Sequence, residues 1–124
     1  MIEEILNNSQ RTLRQIFGSF KKSNNCFELQ SYLLRKQFNM CPITKEIIYL
    51  NKDTHLSHII SLKNLEKLRV INSHLAETLT ISESNLFLEK GQSNKKRSSK
   101  NCEELLDDLL EQLSLTEEEL NCIL

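Results

Sequence analysis

Residues 62–80 read LKNLEKLRVINSHLAETLT, and their apolar positions Leu62, Leu65, Leu68, Ile71, Leu75 and Leu79 recur at three- and four-residue intervals. That spacing lines one face of a helix, so the stretch predicts an amphipathic helix from about 63 to 80 with a polar face of lysines and glutamates outside it. A sequence with this as its strongest signal, and with only 2 Gly and 1 Pro in 124 residues, has few tight turns and belongs to a mainly α class, a small helical bundle.

Toward the N-terminus the same logic repeats. Ile2, Ile5, Leu6, Leu13, Ile16, Phe17 and Phe20 form one stripe, predicting a first helix that ends at a polar break over 21–24. Asn25 followed by Glu28 has the pattern of a capping box. The helix it opens carries Cys26, Leu29 and Leu33 on one face and Phe27, Leu34 and Phe38 on another, which predicts a central position in the bundle. Asn39 to Pro42 ends it, because a residue before proline is pushed out of the helical region. Residues 43–62 are ambiguous. Ile47 to Leu50 are β-branched or aromatic-rich, 51–54 reads as a turn, and His55 to Ile60 can return as a second strand; a short β-hairpin around 46–60 is favoured over continuous helix. Residues 81–88 read as a short strand or turn.

Beyond position 89 the character changes. Residues 90–100, KGQSNKKRSSK, contain no apolar side chain and predict a basic flexible linker. Residues 102–124 hold eight acids and no base, leaving sixteen bases against nine acids in the rest of a chain whose net charge is -1. Asn101 with Glu104 and Thr116 with Glu119 repeat the capping-box pattern and frame an acidic, amphipathic helical tail. The expected organisation is a helical domain over 1–89, the linker over 90–100 and the tail over 101–124.

Leu106, Leu109, Leu110, Leu113 and Leu115 are the candidate partner-binding residues. Their spacing resembles a leucine-rich nuclear export signal, and Leu106, Leu109 and Leu110 resemble the Leu-x-x-Leu-Leu box that docks in coactivator grooves. Both resemblances imply an apolar helix face filling a partner's groove, with acids such as Asp107, Asp108 and Glu111 selecting a basic rim. The plain alternative is that these leucines pack on the protein's own body. Lys95, Lys96, Arg97 and Lys100 form a basic cluster that reads as a solvated tether, a nuclear import signal or a phosphate-contacting patch.

His55, His58 and His74 all fall where a strand pair and a helix are expected, which is where a ββα metal site would place its ligands. The run from Cys41 to Ala76, with His58-Ile59-Ile60 and Leu68-Arg69-Val70-Ile71-Asn72-Ser73-His74, is weakly similar to the HNH nuclease pattern. The similarity implies a metal-dependent nucleic-acid module, but Ser57 stands where that pattern has an acid or histidine. Cys41-Pro42-Ile43-Thr44-Lys45-Glu46-Ile47 also looks like the opening of a U-box. Cys41 would act as a nucleophile only with a histidine beside it; a buried thiol is the ordinary expectation.

No catalytic set has a defining spacing: the chain has no Gly-rich phosphate loop, no Gly-x-Ser-x-Gly elbow and no His-Glu-x-x-His. Cys26, Cys41, Cys102 and Cys122 lack paired spacing and are expected as reduced thiols. The expectation is a non-enzymatic protein-binding protein, a small subunit or regulatory adaptor in the nucleus or cytoplasm, with no cofactor and no membrane insertion. Nucleic acid stands as a secondary candidate partner.

Overall fold

A computed structural model describes residues 11–124. Along the chain run α1 (Leu13–Lys21), α2 (Asn24–Lys36), β1 (Thr54–His58), α3 (Leu62–Arg69), α4 (Ser73–Ile81), a single 3-10 turn (Glu83–Asn85), β2 (Leu86–Lys90), α5 (Gly91–Arg97), α6 (Glu103–Gln112) and α7 (Glu117–Ile123). The fold is mainly helical around one antiparallel two-stranded sheet, as the sequence pattern implies. The part of the first expected helix before residue 11 lies outside the described residues. No helix among the described residues is long and apolar enough to cross a membrane.

The sheet is the centre of the molecule. Thr54 pairs with Lys90, His55 with Glu89, Leu56 with Leu88, Ser57 with Phe87 and His58 with Leu86. The strand expected over 55–60 therefore exists in part, but its partner is 86–90 and not 46–50. The reason lies in burial. Leu86 to Leu88 are apolar on both faces of the strand, with Leu86 and Leu88 in one hydrophobic cluster and Phe87 in another, so this segment gains most from a position between two layers. The 47–50 segment has only Ile48 buried, which suits a rim. It pairs instead through the bridge Met40–Ile47, closed by Cys41 N–H to Glu46 O at 2.8 Å and Ile48 N–H to Asn39 O at 2.9 Å. The free side of β2 is met by an amide. Gln37 donates to Leu88 O and accepts from Leu88 N–H, both at 2.8 Å, so the edge backbone is not left unpaired.

The helix expected over 63–80 is two helices. Asn72 interrupts it by accepting from the Leu75 N–H at 3.1 Å, acting as the N-cap of α4 with φ -150 and ψ 82 outside the helical region. Short polar side chains compete with the helix backbone in this way, and the apolar period on either side conceals the break. Ser23, not Asn25, caps α2. Of its predicted second apolar face, Phe27 and Phe38 are exposed and Leu34 is only partly buried, so α2 covers one side of the sheet and is not the central helix. Thr12 with Gln15 and Thr116 with Glu119 form reciprocal capping boxes, the second as the sequence pattern predicts. Asn101 does not cap α6, whose N-cap is Cys102. Its amide accepts from Ser61 N–H and Asn64 Nδ2 and donates to Ile123 O at 2.9 Å, tying α3 to the C-terminus.

Asn85 holds the return into β2. Fully buried, it accepts from Ile60 N–H at 2.7 Å and donates to Ile60 O and Leu79 O, satisfying every polar atom of its amide.

The span expected as a flexible linker is folded. Lys90 closes β2, and 91–97 form α5, held by polar contacts rather than apolar ones. Gly91 N–H donates to Asp53 O at 2.9 Å, Asn94 Nδ2 lies 3.1 Å from His55 Nδ1, and Arg97 pairs with Glu89. Glu89 is wholly buried on the sheet face under α5, and the Arg97 guanidinium also sits 5.3 Å from the centre of the Phe87 ring. A composition without apolar residues hides such an anchor, because the partners His55 and Glu89 are remote in the chain.

Candidate functional site

The acidic tail is the first site the sequence proposes, and the structure turns its leucines inward. Leu106 and Leu109 are buried in the cluster that contains Leu65, Leu68, Leu79 and Phe87, and Leu110, Leu113 and Leu115 pack partly buried against it. Cys102 and Ile123 complete that wall, and α7 lies along α3. These leucines thus pack on the protein's own body. Asp107, Asp108 and Glu111 are exposed on the outer side of α6, as an amphipathic helix on a core requires.

The three histidines do not come together. His55 and His58 are three positions apart on a strand, so they leave opposite faces. His55 lies under α5 beside Gly91 and Asn94. His58 packs edge-on against Phe17, with ring centres 4.4 Å apart, and its Nε2 donates to Thr80 O at 2.8 Å. Burial there holds its pKa down to about 4, against the pull of the Thr80 carbonyl and with the help of the Lys21 charge. A neutral imidazole spent on a carbonyl and a phenyl ring is a packing residue. His74 is exposed on the first turn of α4. Among the described residues no group of three or more histidine, cysteine or carboxylate side chains is placed to hold a metal ion. The alternative metal reading of His55, His58 and His74 therefore has no geometry behind it.

The cysteines are free thiols. Burial opposes ionisation of Cys41, yet hydrogen bonds from Thr44, at 3.5 Å from its backbone N–H, leave the thiol below its ordinary value. Cys41 sits in the second hydrophobic cluster with Leu33 and Ile48. Burial pushes the Cys102 thiol up to about 11, the nearby Glu104 adding to it, so this group is an inert part of the core.

Two surfaces remain, and sequence reasoning missed both. One is an open cleft of about 910 Å³ between α1, β1, the start of α3 and the turn after α5. Five cations line it, Arg14, Lys21, Lys63, Arg97 and Lys100, against one acid, Glu66. The sequence cluster is thus divided: Arg97 and Lys100 belong to the cleft, whereas Lys95 and Lys96 point away from it into solvent. Nothing in the local sequence joins Arg14 or Lys63 to Lys100.

The other is an apolar rim over 38–50. Ile47 and Tyr49 are 60% and 67% exposed while Ile48 between them is buried, and Met40, bridged to Ile47, is exposed beside them. Phe38 is 84% exposed and, with Asn39, has left-handed backbone at φ 55 and 59. Left-handed backbone costs a phenylalanine about 1 kcal/mol or more, so the turn places this ring outside at an energetic expense. The unbroken apolar run Ile47 to Leu50 is the sequence signal that could have identified the rim, since a strand can bury only one of its faces there.

No protein-family model matches this chain, and no curated protein or solved structure matches it at a significant level.

Proposed function

We propose that this chain is a non-enzymatic protein-binding protein, a small subunit or regulatory adaptor, that engages its partner through the rim over 38–50. The observation that carries this reading is the run of large apolar side chains, Phe38, Met40, Ile47 and Tyr49, left outside by a hairpin that buries Cys41 and Ile48 on its inner side. Scattered exposed apolar residues are ordinary, whereas several from one short segment mark a contact surface. Aromatic residues and methionine are also the types enriched at the centres of interfaces.

The surroundings specify the occupant. Arg35, Lys36, Lys45 and Lys52 flank the rim and are exposed, against Glu46 and Asp53, and Glu46 is partly engaged by Lys90 at 3.7 Å. A partner protein with an apolar patch bordered by acids fits this charge balance. The acidic outer side of α6 is a poor centre for such an interface, since its leucines are committed to the core.

The test is recovery of a partner by the intact protein, followed by binding between purified components. Both side chains are exposed, so the double substitution Ile47→Asp with Tyr49→Asp leaves folding intact. It is expected to weaken the purified pair at least about 30-fold, since each anchor contributes on the order of 1 to 2 kcal/mol. Unchanged affinity overturns the reading, and so does a complex made only of copies of this chain.

A further inference from the structure

The basic cleft is independent of the apolar rim and carries a separate inference. We infer that the cleft between α1, β1 and the turn after α5 binds the phosphate backbone of nucleic acid without reading its sequence.

The arrangement of charge is the first argument. Arg14 and Lys21 are seven residues apart on α1, two turns, so they share a face and stand about 10 Å apart along the helix axis. Lys63 enters the cleft from α3 and Lys100 from the turn after α5. Arg14, Lys21, Lys63 and Lys100 have no ion pair among the described residues, while Arg97 is neutralised by Glu89 and Glu66 is engaged by Arg69 at 3.5 Å. Four cations therefore remain to face an anion, arriving from three separate elements. A single phosphorylated side chain would meet one or two of them, whereas a polyanion with a charge every few ångströms along its length can meet them all.

The neutral groups support the same ligand. Thr12, Thr54 and Ser61 line the cleft with hydroxyls, the kind of donor that accompanies lysine and arginine on phosphate oxygens. Ser57, 4% exposed at the cleft floor, has a hydroxyl with no hydrogen-bond partner among the described residues. Phe17 lines the cleft but is buried and covered by the Lys21 ammonium at 4.9 Å from its ring centre, so no aromatic face is presented for base stacking. The ligand is then held by its backbone, with little preference among bases.

Fluorescence anisotropy with a labelled 20-base-pair DNA duplex tests this on the full chain. Four phosphate contacts predict a slope of log affinity against log salt of about -3.6, so affinity falls about 150-fold between 50 and 200 mM salt. Arg14→Gln with Lys63→Gln halves the slope, reducing that fall to about 12-fold, and leaves the melting temperature unchanged because both side chains are exposed. Lys95→Gln with Lys96→Gln, the same charge change outside the cleft, keeps the wild-type slope. Equal effects of the two double variants would show diffuse attraction and overturn the inference. So would absence of duplex binding at 50 mM salt, or a singly phosphorylated peptide that binds as tightly as the duplex.

Discussion

Truncating Leu109 to alanine asks directly whether the C-terminal helices belong to the core. Leu109 is 2% exposed and sits in the same cluster as Leu65, Leu68 and Ile123. Removing its isobutyl group forfeits the transfer free energy of the lost carbons and leaves a cavity that the surrounding helices fill only in part, a cost of about 3 kcal/mol. Unfolding entropy of about 2.1 cal/mol/K per residue, over a chain of this length, converts that cost into a fall in melting temperature of about 11 °C. The matched control is Leu124→Ala, the same chemistry at a side chain 71% exposed, with an expected shift under about 2 °C. Calorimetry of the two variants beside the parent protein measures both. If Leu109→Ala melts within about 2 °C of the parent, the α6 leucines are not in the core, and the inward-facing tail described above is wrong.

Three further perturbations address other parts of the molecule. Burial holds His58 neutral down to about pH 4, against an ordinary value of 6.5. The unfolded chain takes up that proton first, so stability falls as pH drops through this window, by roughly 3 kcal/mol in all. His58→Gln should flatten this part of a urea-derived stability curve; an unaltered slope would remove His58 as its source. A methyl group added at Gly91 would stand 2.8 Å from His55 Nε2 and 2.9 Å from Cε1. Gly91→Ala should therefore displace the ring, moving its NMR resonances and costing about 1 to 3 kcal/mol, whereas a silent substitution would mean that α5 is not seated on β1. Glu89→Ala leaves the Arg97 guanidinium without its counter-ion and should cost about 3 to 5 kcal/mol in denaturant melts, while replacing both residues by methionine should cost far less. Equal losses in the single and double variants would contradict a buried pair.

What the sequence made legible was periodicity. The apolar stripes of α1, α3, α4 and α6 are visible because a helix on a core must repeat its contacts every three or four residues. Thr116 with Glu119 was legible for a similar reason, since both halves of a capping box lie within one turn. The features that escaped depend on partners far along the chain. The pairing of 54–58 with 86–90 reaches across two helices, and a β-propensity reading naturally joins 54–58 to the nearest candidate strand. Arg97 looks like one more base in a solvated run until Glu89, turned inward by its register opposite His55, appears beneath it. Asn101 has the residue type of an N-cap, yet its amide serves Ser61 and Ile123, groups that no local pattern could connect. The cleft shares this character: its cations come from α1, α3 and the turn after α5, and only the tertiary fold makes them neighbours.

The same energetics decide between the two surfaces considered for protein binding. For the leucine face of α6 to enter a partner's groove, at least Leu106, Leu109 and Ile123 would have to leave the core. At roughly 2 kcal/mol for each buried aliphatic side chain, detachment costs about 6 kcal/mol, which lowers the affinity of any groove-binding partner about 25,000-fold. The rim over 38–50 carries no such penalty, since Phe38, Ile47 and Tyr49 are already in solvent. A partner covering them removes apolar surface from water without first taking any from the core, so at equal contact area the rim is the stronger binding surface.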